Sequence, residues 1–315
     1  MFMCVVCLCV CCGKGVSLRL PESSDLGVAL QKYIQSNYTT EETRSVSKSI
    51  NDCNALRQRM VAAVSRNAQD QDHRTTLEIF VNYYKLLSCL ITRFPFQSAS
   101  GCAGPPINTT TAANNSGGGF LSKVFAGKTV TQVTFPTTWY EAFRHSVRLS
   151  DIDIAFEKCS ILFNIASLLS RQATQIKSST LSSPGVAGDA TDNNLKEACR
   201  LFQLSAGLFD HLARAPEIIG STLGNGMSID LNSESLAMLS VLMLAQAQAC
   251  FFEKSTTTAS PQLVAKLAMG VSSLFSEALQ RFERNAKIKT IIGKSDVYPW
   301  GQFIHLPAQN AGMSR

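Results

Sequence analysis

The sequence is poor in the residue patterns that carry out chemistry. It has four histidines in 315 residues, His73, His145, His211 and His305. They are scattered, none in an HExxH pattern or at helical ligand spacing from another, so a zinc hydrolase has no sequence support. There is no Gly-x-Ser-x-Gly elbow, and no cysteine precedes the loop and arginine of a tyrosine phosphatase. Gly127-Lys128-Thr129 looks like half of a phosphate loop. Ser122 stands where such a loop needs the glycine that lets backbone amides wrap the phosphates, so nucleotide binding is not expected. No stretch interleaves lysines and arginines with aromatics, which removes the main sequence signal for nucleic acid. Paired carboxylates far apart in the chain remain possible on sequence grounds, but nothing points to them. No enzyme, cofactor or metal site is expected.

What is present is a large apolar inventory. Hydrophobic residues make up 45% of the chain, enough for a sizeable core, and a net charge of +6 from 29 basic and 23 acidic residues is a mild bias. Five of the eleven cysteines crowd into Cys4, Cys7, Cys9, Cys11 and Cys12. The others lie mostly in apolar helical patterns, which reads as a reduced intracellular chain rather than a disulfide scaffold. The Asn37, Asn108 and Asn114 sequons then carry no meaning. The first twelve residues form an apolar run too short to cross a bilayer and without the basic start of a signal peptide. Residues 1–15 read as an atypical leader whose cysteines could be acylated but are too cramped for a four-thiolate zinc site.

Helical periodicity dominates the rest. Val16–Leu20 alternates as a short strand, and Leu26–Tyr33 begins an amphipathic helix. Thr39-Thr40-Glu41-Glu42 is a capping start for a helix through Val64, and Leu77–Ile91 repeats the pattern. Residues 97–126 turn to Gly, Ser, Asn, Thr and Pro, an exposed insertion. Val130–Phe135 suggests a second strand, with a helix starting at Trp139–Phe143. Ala155–Gln175 is helical, and 178–193 reads as a flexible loop. Leu195, Cys199, Phe202, Ala206, Phe209 and Ala213 mark a helix that Leu201, Leu204, Leu208 and Leu212 require to be covered on more than one face. Asn232 or Ser233 caps the helix through Lys254, and Pro261 opens another through Phe282. Residues 283–315 read as an irregular tail. The sum is a stack of antiparallel helix pairs similar to tetratricopeptide repeats, without their regular signature.

Three motifs, Trp139-Tyr140-Glu141-Ala142-Phe143, Phe156-Glu157-Lys158-Cys159-Ser160-Ile161-Leu162-Phe163-Asn164 and the segment Leu242–Lys254, LMLAQAQACFFEK, closely resemble the BRO1 domain family in its Alix-like branch. The resemblance covers residues 16–282. It implies a mainly α fold, a curved helical domain with a tetratricopeptide-like solenoid core and a small β-sheet, lacking the family's closing helices at its end. It implies a non-catalytic adaptor whose groove receives the C-terminal amphipathic helix of an ESCRT-III filament subunit. Such a protein is cytoplasmic and recruited to endosomes, with peripheral membrane association possible. The alternatives are a rhophilin-like signalling scaffold and a truncated fragment without a working groove.

The positions matching that groove are Phe251, Lys254, Leu263 and Leu267, with Asp192 and Lys196 at its edge. By residue type alone, apolar helical stripes are core. The resemblance instead makes Phe251 an aromatic anchor, Leu263 and Leu267 an aliphatic wall, and Lys254 the contact for an acidic group of the ligand. Neighbours on a helix point about 100° apart, so Phe252 is assigned to the core. The turn Ser255–Gln262 departs from the family's charged turn.

Overall fold

The computed structural model describes residues 15–70, 72–97, 131–181, 189–219, 228–256 and 258–290. The five leader cysteines, most of the 97–126 insertion, Gly127-Lys128-Thr129, the centre of the 178–193 loop, His305 and the tail from 291 lie outside the described residues.

Three helices open the fold, each started by a side chain that accepts from an otherwise unpaired first-turn amide. Asp25 accepts from Val28 N at 2.9 Å and starts α1, Leu26–Asn37. Thr39 and Glu42 form a reciprocal capping box, Glu42 N to Thr39 Oγ1 at 3.3 Å and Thr39 N to Glu42 Oε2 at 2.8 Å. It starts α2, Thr40–Asp70. Asp72 accepts from Thr75 N at 3.1 Å and starts α3, His73–Arg93.

A small antiparallel sheet follows, in the order β1 (Leu20–Pro21), β2 (Thr137–Tyr140), β3 (Arg148–Asp151). Here the structure corrects the sequence reading twice. Trp139 and Tyr140 lie in a strand, not at a helix start, with Trp139 opposite both Pro21 and Leu149. Thr137-Thr138-Trp139-Tyr140 is β-branched and aromatic, and pairing on both sides suits it better than a helix turn. The segment expected as the second strand contributes one bridge, Val133 to Phe96.

The helical stack then runs α4 (Ile154–Leu181), α5 (Asp189–Ala213), α6 (Pro216–Ile219), α7 (Ser233–Ser255), α8 (Pro261–Arg284) and α9 (Ala286–Lys289). From α3 to α8 each long helix packs on the next. The expected loop at 178–193 is shorter than read, since Ser178–Leu181 and Asp189–Asn193 are helical. Ser178, Ser179 and Thr180 bond back to the carbonyls of Gln175 and Ile176, which prolongs α4. Residues 283–290 are likewise structured. Asn285 ends α8, caps α9 through Ile288 N at 3.2 Å, and Ile288 is fully buried. Asn232 caps α7, whereas Ser233 Oγ donates to Ala213 O. On α5, Leu201 and Leu212 are buried but Leu204 is 46% exposed, so that helix is not covered all round. α7 is long and apolar enough to cross a membrane by composition, yet it is mostly buried between α5 and α8, as a core helix is.

Two buried polar networks join sheet and stack. Glu157 on α4 accepts from Arg57 Nε at 3.1 Å, Tyr83 OH at 3.0 Å and Trp139 Nε1 at 2.6 Å, and both Arg57 and Glu157 are fully buried. The Arg57 guanidinium also lies over the Phe135 ring and donates to Ser24 O. Burial alone would lower its pKa, but Glu157 and Tyr83 outweigh that and raise it. In the second network Arg19 pairs with Asp230 while stacking on Phe156, and Asp230 accepts from Ala142 N at 2.7 Å. Glu141 accepts from Ile229 N, and Asn164 clamps the backbone of Arg19 with two bonds of 2.7 and 2.8 Å. Glu141, Glu157 and Asn164, all within the recognised motifs, therefore hold the scaffold. A buried charge is tolerable only when paired and hydrogen-bonded in this way.

Candidate functional site

Adjacent phenylalanines on the last turns of α7 have opposite fates. Phe252 is 1% exposed and packs with Ala249, Val264 and Val271 in a second hydrophobic cluster, whereas Phe251 is 50% exposed. The 100° step between neighbours turns one into the α7–α8 seam and the other outward. Leu263, at the start of α8, is 47% exposed. Leu267, one turn on, is half-buried against the second cluster. Ser260 caps α8 and Pro261 occupies its first turn, so the register of Leu263 and Leu267 is set locally.

The charged edge is more self-contained than the sequence reading expected. Lys254 Nζ stands 3.2 Å from Asp192 Oδ2, so the two residues form an ion pair within the chain. That pair joins the last turn of α7 to the first turn of α5, two helices that pack against each other. Lys196, the next turn of α5, is exposed and makes no ion pair among the described residues. Behind this edge Lys177 on α4 lies 2.9 Å from Glu253 Oε1, both about nine-tenths buried. Burial pushes the nearby Cys250 thiol up to about 12, with Lys177 opposing and Glu253 adding to the shift.

Sequence reading passed over the inner half of the same face. On α7 Leu244 is 41% exposed and Gln248 half-buried, in line with Phe251 at helical spacing. Gly270 on α8 stands opposite Gln248, since a Cβ built there would lie 3.8 Å from Gln248 Nε2. Carrying that antiparallel register one turn each way sets Leu267 level with Phe251 and Leu274 level with Leu244. The signal was in the sequence, because Leu244, Gln248 and Phe251 recur every three to four residues. Their exposure was not.

The arrangement is a shallow apolar face on two helices with a charged rim, and a face of this kind can receive an amphipathic helix. Among the described residues no group of three or more His, Cys, Asp or Glu side chains could hold a metal ion.

A family profile described as the BRO1-like domain matches residues 15–103 and 120–307. Programmed cell death 6-interacting protein of Xenopus laevis is 27% identical over 274 residues, covering 84% of this chain and 26% of its own length. ALG-2 interacting protein X of Dictyostelium discoideum is 30% identical over 282 residues, covering 89% and 29%. The chain thus spans between a quarter and a third of the length of these relatives. Among solved structures, one described as an ALIX BRO1 CHMP4C complex superposes with a TM-score of 0.62 at 22% identity, covering 92% of this chain and 68% of that one. A second, described as the basis for endosomal targeting by the Bro1 domain, gives 0.61 at 18% identity, covering 92% and 66%. Fold and profile agree: the chain belongs to the BRO1-like domain family and shares its curved, mainly helical fold with a small antiparallel sheet.

Proposed function

We propose that this domain is an adaptor that seats the C-terminal amphipathic helix of an ESCRT-III filament subunit on the face formed by α7 and α8. In doing so it places membrane-scission machinery at endosomes. The observation that carries the reading is the half-exposed pair Phe251 and Leu263, flanked by the Lys254–Asp192 ion pair. A core phenylalanine would be covered as Phe252 is, and a large aromatic left half in water at a helix seam is the kind of anchor on which interface energy concentrates. The similar fold described with a CHMP4C partner supports the choice of ligand.

In this reading Phe251 enters the apolar stripe of the ligand, and Leu263 and Leu267 form the wall beside it. Lys196 meets an acidic group at the rim, and Lys254 and Asp192 set the depth of the groove end. A cytoplasmic protein recruited to endosomes through its filament partner follows from the same reading.

The test is fluorescence anisotropy with a labelled C-terminal helix of the filament subunit, comparing the parent chain with Phe251→Asp after circular dichroism has shown both to be folded. Saturable binding lost in the variant is expected. A folded parent chain that does not bind would sink the proposal and leave a structural scaffold as the better account.

A further inference from the structure

The α7 side of the groove is apolar at both ends and polar in the middle. At about 100° per residue Leu244, Gln248 and Phe251 fall within an arc of about 60°, and Leu244 and Phe251 are about 10 Å apart along the axis. Both are at least 40% exposed. Gln248, between them, is half-buried, and its amide makes no hydrogen bond among the described residues. A ligand helix laid over this strip would cover that amide and remove its water. A covered amide without a partner weakens binding, and one that finds a partner does not.

Across from it stands Gly270, in the interior of α8, where glycine is unfavourable relative to alanine. Among the described residues nothing requires a glycine there, because a Cβ would be in ordinary contact with Gln248 Nε2 at 3.8 Å and with nothing nearer. The glycine leaves the space beside the Gln248 amide empty, between the levels of Leu267 and Leu274.

Resting on the helix-in-groove reading above, we infer that Gln248 sets the sequence specificity of the groove. It requires the bound helix to carry a hydrogen-bonding side chain midway between two apolar anchors placed two turns apart, and Gly270 provides the space that side chain occupies. The occupant is a partner helix of that pattern, apolar, polar, apolar along one face. A uniformly apolar helix of equal length is disfavoured.

Two labelled designed helical peptides test this. Both carry leucine at two positions seven residues apart. The intervening positions on the same face are glutamine in one and leucine in the other. Each is titrated into the parent chain and into Gln248→Leu, with the filament-subunit helix as a third probe. The expected result is a coupling on the order of tenfold between peptide and protein residue, glutamine with Gln248 and leucine with Leu at that position. Gly270→Leu, folded by circular dichroism, should lose the glutamine peptide by a similar factor. An identical peptide preference in parent and Gln248→Leu overturns the role of Gln248, and unchanged binding in Gly270→Leu overturns that of Gly270. Either leaves the adaptor reading intact if the filament-subunit helix still binds and Phe251→Asp abolishes it. If no probe binds the folded parent chain, the adaptor reading and this inference fall together.

Discussion

Trp139 Nε1 donates a 2.6 Å hydrogen bond to Glu157 Oε2, joining the central strand of the sheet to the start of α4. Two motifs that are separate in the sequence thus meet at one buried carboxylate, which Arg57 and Tyr83 also reach. These two motifs brace the scaffold, while the third, Leu242–Lys254, lies on α7 and carries Phe251 and the rest of the α7 side of the candidate face.

Glu157→Gln should therefore be strongly destabilising while leaving the proposed docking face on α7 and α8 unaltered in chemistry. It removes the partner of a fully buried Arg57, a change that costs about 3–5 kcal/mol. Urea unfolding of parent and variant measures it. A loss below about 1 kcal/mol would mean that Arg57 finds another partner.

The two phenylalanines separate stability from binding. Phe252→Ala should cost about 3–5 kcal/mol, as truncation of a buried aromatic does. Phe251→Ala should stay within roughly 1 kcal/mol of the parent and show its effect in peptide titration. Equal losses of stability in both would place Phe251 in the core.

Gly270→Ala should stabilise the domain by about 0.5–1 kcal/mol, because the added methyl group has room and the helix interior gains from losing glycine. Thermal melts read the shift directly, and a lower melting temperature would contradict the open space opposite Gln248.

Acid weakens the sheet through Glu22. Hydrogen bonds from Arg148 and then Tyr140 hold its carboxyl down from 4.5 to about 2, linking the end of β1 to β2 and β3. A lowered folded value means that the contribution is complete above the ordinary carboxylate range and is lost as pH falls from about 4.5 through 2. Carboxyl carbon NMR should place the Glu22 midpoint near the lower figure. Glu22→Gln should flatten the acid slope of stability, and an unchanged slope would deny the linkage.

Thiol chemistry should sort the described cysteines by burial. Cys250, buried and pushed up to about 12, should resist alkylation in the native chain at mildly alkaline pH, while exposed Cys89 reacts first. Peptide mapping by mass spectrometry gives the order, and early modification of Cys250 would show that the α5–α7 seam opens.

Helix caps and starts were readable in the sequence wherever the stabilising partner is close in the chain. The Thr39 and Glu42 box, Asn232 before α7 and Pro261 in the first turn of α8 are local, and each stands as expected. Trp139 misled because its strand pairing is with Pro21 and Leu149, and the register with a distant segment is absent from local pattern. The first end of the 178–193 loop misled differently, since the serines and threonine at 178–180 read as loop yet bond back to the preceding turn.

By itself the sequence determined the helical stack and the family, through period, caps and motifs whose physics acts within a few residues or repeats along one helix. The opposite fates of Phe251 and Phe252 follow from the helical step once α8 is known to cover one side. Only the tertiary structure decided that Lys254 and Asp192 pair with each other, that Glu157 collects Arg57, Tyr83 and Trp139, and that Gly270 faces Gln248. Those relationships depend on how helices distant in the chain dock, and docking is set by the burial of many side chains at once rather than by any local pattern.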